Sequence, residues 1–367
     1  MTPRVLFVGR GRIAVPLEPW LAKKWDAVER ELDLRVLNAG SGGGDPRFRL
    51  LPESAAGFYP RLPFAVAREL RAFQPQVIVA SDPFVGVAAR IGRSLARSDA
   101  KLVVEVHGDP WTFTRAYGSS KRRLVARLAA SVARSGIRRA DATRALSRFT
   151  SSIVEGVTGR PATACFPTWS DLGAYHDTPP VPVPDTRRVV FVGALERYKN
   201  VDGLAVAWRG VVRSLPDATL VVIGDGSRRA VVDALVAELP RNVVHHTRLA
   251  PQQIAAELDA ARALVLPSWP EGLGRVVLEA FARGRAVVAT DGGGIPDMAT
   301  HDRDALLVPP FDTDALVAAL ERVLSDDRLA RRLGAAARET YEVWRQDESD
   351  FASAYRSLVD RVLAGDR

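Results

Sequence analysis

The sequence predicts an α/β protein made of two Rossmann-like, doubly wound domains, and three observations predict it. Short apolar runs recur at Arg4–Gly9, Leu34–Leu37, Val77–Ala80 and Leu102–Val106, with helix-patterned segments between them. That alternation specifies a parallel sheet with its site at the carboxyl ends of the strands. A second set follows at Val189–Gly193, Leu220–Gly226, Val243–Leu249, Leu264–Pro267 and Arg285–Thr290. Between the two sets, Thr178–Asp185 reads TPPVPVPD, four prolines in eight residues, which is a stiff connection.

These signals divide the chain into a first domain over 1–177, a linker over 178–186 and a second domain over 187–345. At 367 residues and 47% hydrophobic content, two full cores are within reach. Each element has its own warrant. Gly9 and Gly11 make a tight turn after the first strand, but the third glycine of a dinucleotide fingerprint is missing. Asn38–Pro52 is glycine-rich and reads as a mobile loop. Thr340–Ala364 is helical in pattern, with a bend expected near Trp344.

Composition narrows the function. The one cysteine, Cys165, excludes an intrachain disulfide and fits a reducing compartment. One Cys and five His leave little for a structural zinc site. No run of 18 apolar residues reads as a membrane span, and the start has no cleavage region of a secretory signal, so a cytoplasmic protein is expected. Net charge is +8, unevenly spread: residues 1–186 carry +10 and residues 187–367 carry −2. The stretch 115–148 holds ten basic residues against a single acid, Asp141, with Trp111, Phe113 and Tyr117 at one end. Such a segment fits an anionic membrane surface, a solvated helix face or an anionic soluble acceptor. No nucleic-acid motif accompanies it, so nucleic acid is not an expected partner.

The chemistry concentrates in Leu264–Gly294. Glu271-Gly272-Leu273-Gly274 is a loop whose glycines let a backbone approach a ligand closely, and a helix follows over Val276–Arg283. Glu279 lies eight residues after Glu271, roughly 12 Å along a helix. The free N–H groups near Gly274 form an anion cradle between the two carboxylates. A carboxylate at each end of such a cradle suits a sugar nucleotide. In isolation the same pair reads as a capping acid and a solvated helix residue. His107, at a strand's carboxyl end and followed by Gly108, is placed to face a cleft, although a surface or capping histidine has the same sequence signature.

The motif Glu271 to Glu279 within EGLGRVVLEA resembles the signature of glycosyltransferase family 4, the retaining enzymes of GT-B fold. The resemblance is strongest from about Val189 to Leu324. It implies two Rossmann-like domains facing across a cleft, with a last helix, about 346–367, packing back onto the first. It further implies retaining transfer of a hexose-type sugar from a UDP- or GDP-sugar to an acceptor hydroxyl. A sugar, lipid-linked or phosphorylated acceptor in cell-envelope glycan or glycolipid assembly would be consistent with the basic first half. Carried over by position, Lys199 and the amides of Gly272, Leu273 and Gly274, with Arg275 beside them, hold the diphosphate, and Glu271 accepts from the sugar. Glu279 binds the ribose, and Arg248 and Leu249 lie at the base. Gly11 faces the diphosphate, His107 supports the sugar, and Asp109 and Trp111, with Asp82 as a further candidate, line the acceptor side. The family's Arg after the first glycine of VVFVGALERYKN is Ala194 here, with Arg197 nearby as a substitute. No Asp-x-Asp pair stands where a metal would be needed, so neither metal nor cofactor is expected. Two alternatives share the fold: a sugar-nucleotide epimerase or hydrolase, and a non-catalytic scaffold that has lost the Arg at position 194.

Overall fold

The computed structural model describes residues 2–111 and 120–365. The chain divides into two compact units. Unit 1 holds the residues up to Trp111, Arg123–Asp171 and the stretch from Gln346 on, and unit 2 includes Leu172–Arg345.

In unit 1, β1 (Arg4–Val8) and β2 (Ile13–Val15) lead into α1 (Pro19–Glu31). Then come β3 (Asp33–Gly42), β4 (Phe48–Leu51), α2 (Ala55–Phe73), β5 (Val77–Ala80), α3 (Pro83–Ala96) and β6 (Lys101–Val106). After them follow α4 (Ser120–Arg138), β7 (Ala142–Ala145), α5 (Arg148–Thr158) and β8 (Ala164–Cys165). The sheet order is β2-β3-β1-β5-β6-β7-β8, with β4 beside β3 and parallel pairing throughout. Helices cover both faces, so Val5, Leu6, Ile78, Val103 and Val104 are fully buried and β1 and β5 read as apolar runs. The connections reverse direction between β1 and β5, and ligands collect outside the carboxyl ends at such a switch point.

The glycine-rich stretch after Asn38 is not a loose loop. β3 continues through Gly42 and pairs with β2, and β4 follows at Phe48. A Cβ at Gly40 would lie 1.9 Å from the Ile13 carbonyl oxygen, so glycine here permits close strand approach rather than motion. Arg47 then ties the turn down through Asp26 at 2.7 Å, Glu29 at 2.9 Å and Asp45 at 2.7 Å.

Unit 2 begins with α6 (Gly173–His176), β9 (Arg188–Val192), α7 (Val201–Ser214), β10 (Thr219–Ile223), α8 (Arg229–Glu238) and β11 (Val243–His246). It continues through α9 (Pro251–Asp259), β12 (Ala263–Leu266), α10 (Arg275–Ala282), β13 (Ala286–Thr290) and α11 (Ile295–Met298). β14 (Ala305–Val308), α12 (Thr313–Ser325) and α13 (Asp327–Trp344) close it. The order β11-β10-β9-β12-β13-β14 is the doubly wound dinucleotide-fold order, with its switch point between β9 and β12. The helical pattern breaks after Trp344. The Asp347 carboxylate accepts from the Ser349 and Asp350 amides, both at 2.8 Å, and starts α14 (Glu348–Ala364). Helix α14 belongs to unit 1, where it packs on α1 and buries Phe351, Tyr355 and Leu358.

The break between the units falls at Asp171–Leu172, upstream of the proline-rich stretch where the sequence places it. Tyr175 is already part of the unit 2 core. Beyond it, two fully buried arginines hold the proline segment down as a strap. Arg283 donates to the carbonyls of Thr178 at 2.8 Å and Pro179 at 3.2 Å, and pairs with Asp259 at 2.6 Å. Arg285 donates to the Val181 carbonyl at 3.0 Å. Prolines supply carbonyls but no N–H, so a proline-rich strap suits a donor-rich guanidinium. Replacing Arg283 by Met strands Asp259 and these carbonyls. We expect a loss of about 3–5 kcal/mol in urea unfolding, with earlier proteolytic cleavage within 178–185.

Candidate functional site

The β12–α10 loop of unit 2 holds the expected donor residues. Its shape is fixed from both sides. The Trp269 amide donates to the Tyr198 carbonyl at 2.6 Å, and the Gly294 amide donates to the Glu271 carbonyl at 2.9 Å. A Cβ at Gly293, where φ is +64°, would lie 2.2 Å from the Glu271 carbonyl oxygen. The glycine run after β13 is therefore what lets the two loops nest.

Lys199 is 8% exposed, and its Nζ lies 2.5 Å from Glu271 Oε2. The two residues are 72 positions apart in sequence and meet because β9 and β12 are neighbours at the switch point. An ammonium has three donors, and this pair uses one of them. Helix α10 opens at Gly274 with φ at +87° and no side-chain cap, so its first amides present an anion-binding end. Glu279 is not a solvated helix residue: it is 4% exposed. Its Oε1 accepts from Arg275 Nε at 3.1 Å, and the Tyr175 hydroxyl also hydrogen-bonds the carboxylate. Burial, then the Glu279 charge, push the Tyr175 phenol far above its ordinary range. Sequence reasoning missed Tyr175, and no local motif marks it.

The other predicted positions are less engaged. Arg197 stays exposed on the single 3₁₀ turn Arg197–Lys199, and no described contact ties it to Lys199 or Glu271. Arg248 is exposed beyond β11, whereas Leu249 packs partly against the apolar core. The Leu273 side chain is buried, so this residue can offer a ligand only its backbone.

In unit 1, His107 Nε2 lies 2.9 Å from Glu105 Oε2. Glu105 is buried and sits in register with Arg144 across β6 and β7. Arg144, 1% exposed, donates to Glu105 Oε1 at 2.6 Å and lies 4.1 Å from the Phe166 ring. The Tyr355 hydroxyl of α14 donates to the same carboxylate oxygen. Burial by itself would raise the Glu105 carboxyl, but the Arg144 charge and the hydrogen bonds from His107 and Tyr355 outweigh it and hold the group well below the carboxylate range. Arg144 thus leaves the basic surface segment to which the sequence assigned it. An acid in KLVVEV and a base in ATRA, each inside an apolar strand, were the available signal.

A cavity of about 270 Å³ opens over this cluster at the carboxyl ends of β1 and β5, lined by Gly9, Gly11, Lys24, Glu105, His107 and Tyr355 among others. The Gly11 carbonyl accepts from the Asn38 side chain. Asp109 accepts from the Trp111 amide at 2.8 Å, and the Trp111 ring lies 4.8 Å from the Arg134 guanidinium, so both are engaged in local structure. Asp82 caps α3 through the Phe84 and Val85 amides at 2.8 and 2.9 Å, rather than standing free for a ligand. Of the basic stretch, Arg127, Arg134, Arg138 and Arg139 are exposed on or just after α4, together with Leu128. Phe113, Arg115 and Tyr117 lie outside the described residues. Among the described residues, no helix is long and apolar enough to cross a membrane.

Two doubly wound units, one with a buried lysine paired to a glutamate beside an uncapped helix start, define the class: a two-unit Rossmann-like α/β protein with charged groups gathered at a switch point. Comparison with known proteins carries this to a family. A profile described as "Glycosyl transferases group 1" matches residues 179–340, and one described as "Glycosyl transferase 4-like domain" matches residues 12–169. A lipopolysaccharide core biosynthesis glycosyltransferase of Rhizobium meliloti is 33% identical over 178 residues, covering 48% of this chain and 50% of that protein. The chain spans about a third to a half of the length of the curated relatives it matches. Sucrose-phosphate synthase of Thermosynechococcus elongatus shares the fold with a TM-score of 0.80 at 20% identity, covering 99% of this chain and all of that one. The Anabaena protein HepE, solved with UDP and glucose, follows at a TM-score of 0.70 and 19% identity, with 99% and 100% covered. The chain belongs to the family 4-type glycosyltransferases of GT-B fold.

The cluster in unit 1 has a pH signature. Burial pushes the Lys24 ammonium down to about 8, with the nearby Glu105 charge opposing and Arg144 adding to it. The unfolded value is about 10.4, so between the two the unfolded chain binds more protons. The penalty is fully present below about pH 8 and is relieved as pH rises through this window. Lys24→Met should therefore unfold at a higher temperature than the parent near neutral pH, with the gap closing above about pH 10.

Proposed function

We propose that this protein transfers a hexose-type sugar from a nucleotide-diphosphate sugar, UDP- or GDP-linked, to an acceptor hydroxyl with retention at the anomeric carbon. One observation carries the reading: a buried lysine whose ammonium spends only one donor on Glu271, close to a helix end without a cap. Two further donors suit the diphosphate, where a fixed cation stabilises charge as it develops on the leaving group. In this reading Glu271 keeps Lys199 in place with one oxygen and accepts a sugar hydroxyl with the other. Glu279, held by Arg275 and Tyr175, receives the ribose hydroxyls. The leaving phosphate takes the acceptor proton on the same face, and the transfer needs no metal. His107 serves as a hydrogen-bonding group at the sugar.

Family membership supports transferase chemistry, and the likeness to a protein solved with UDP and glucose favours a uridine donor. The relationship to a lipopolysaccharide core enzyme supports an acceptor in envelope glycan or glycolipid assembly. The exposed arginines of α4 add contact with an anionic membrane surface to the proposal.

A thermal-shift screen with UDP, GDP, ADP and dTDP in EDTA tests the donor site. Ligand at about 100 times its dissociation constant adds about 2.7 kcal/mol of stability. We expect one uridine or guanosine diphosphate to raise the midpoint of the parent and to leave Glu279→Ala unmoved. Transfer from the matching sugar nucleotide should persist in EDTA. No shift with any nucleotide would favour the scaffold alternative, and free sugar in place of a glycoside would favour a hydrolase.

A further inference from the structure

We propose that the cavity of unit 1 is a subsite for an oxyanion borne by a sugar-sized acceptor, and that the Lys24 ammonium is the group that binds it. The inference rests on the glycosyl-transfer reading and gives the acceptor a chemical class. It starts from the charges that line the cavity. Glu105 contributes one negative charge, and both its oxygens are taken: Oε1 by Arg144 and Tyr355, Oε2 by His107. Arg144 spends its two terminal nitrogens in the same cluster, donating to the Phe166 carbonyl at 3.0 Å and the Pro167 carbonyl at 2.9 Å as well as to Glu105, while its buried Nε has no partner among the described residues. The carboxylate and this guanidinium therefore answer each other. Lys24 is the surplus cation.

Among the described residues no carboxylate forms an ion pair with Lys24. Its ammonium stands 5.2 Å from the Trp25 ring centroid and 5.1 Å from that of Phe351. Ring faces attract the charge but are poor substitutes for three hydrogen-bond acceptors. Lys24 is half-buried, so its ammonium is only partly hydrated, and an acceptor entering the cavity would complete its shell. Burial lowers the pKa of Lys24, as expected of a cation still waiting for its counter-ion. Arg12 also borders the cavity, but it is largely exposed and pairs with Glu53 at 3.1 Å, so it adds little binding strength. Trp20 and Leu21 provide apolar wall against which the C–H face of a sugar ring can lie. A volume of about 270 Å³ falls just under the size of ordinary drug-like sites and suits one sugar residue. His107, on the same cavity, places the candidate reactive region beside this anion site.

The test uses the full chain with whichever of UDP or GDP raises its midpoint saturating the donor site, so that phosphate cannot bind there. Inorganic phosphate is titrated calorimetrically into the parent, Lys24→Met and Lys24→Arg. We expect binding to the parent, a loss of at least about tenfold in affinity for Lys24→Met and substantial recovery in Lys24→Arg. Displacement of phosphate by glucose 6-phosphate would mark a soluble acceptor, whereas displacement by phosphatidic acid vesicles would mark a lipid headgroup. Equal phosphate affinity in the parent and Lys24→Met, or no phosphate binding to the parent, overturns the subsite. The midpoint shift with UDP and with GDP, measured on the same samples, judges the donor site separately: absence of both counts against the transfer reading, and the presence of either without phosphate binding counts only against the subsite.

Discussion

Glu105 and Arg144 lie opposite each other on adjacent parallel strands, both removed from water. A sheet covered on both faces offers no solvent to a charge, so each charged side chain within it must be answered by another part of the fold. Here the answer spans the sequence. The carboxylate comes from β6, the guanidinium from β7, the hydroxyl donor from the last helix and the acceptor carbonyls from the segment after β8. The register of β7 and the seat of α14 are fixed by the same small cluster. That cluster also holds the imidazole at the carboxyl end of β6.

Unit 2 meets the same constraint in two places with two outcomes. Around Asp259, the two buried arginines are satisfied by one carboxylate and a row of backbone carbonyls, and the result is structural: a proline-rich strap fastened to the domain. At the switch point, Lys199 and Glu271 answer each other only in part, leaving donors on one and an acceptor oxygen on the other. A buried pair that is fully answered holds structure, whereas one that is partly answered is positioned to take a ligand. The distinction applies to Lys24 in unit 1 as well, where the local carboxylate is already committed.

Much of the fold was legible because parallel strands buried on both faces are written as apolar runs: among the described residues such runs mark β1, β3, β5 and β6 in unit 1 and β9 to β13 in unit 2, whereas the short β2, β4, β7 and β8 carry no such signal. The β12–α10 loop was legible as a structural element too, since EGLGRVVLEA combines glycine freedom, a helix start and two acids within a short window. The errors share a physical cause. Glycine marks both mobility and close backbone approach, and Gly40 serves the second purpose. Proline marks stiffness but says nothing of what its carbonyls accept from, so the strap read as a stiff linker at the domain boundary rather than as a segment fastened to unit 2. Arg144 entered a count of surface charge because composition has no depth.

By itself, the sequence determined what local chemistry can determine: the α/β alternation, the glycine loop that opens a helix, and the identities of Lys199, Glu271 and Glu279 as charged groups near glycine turns. Tertiary structure decided which charges meet. Strand order brings Lys199 to Glu271 across 72 residues, the packing of α14 brings Tyr355 to Glu105 across 250, and nothing in either neighbourhood encodes the partner. It also decided which charges lose water, and so which pKa values move, because desolvation is a property of the packed interior and not of the chain. The reason is general: periodicity and turn chemistry act over a few residues, whereas Coulomb energy in a low-dielectric core depends on distances that only the folded sheets set.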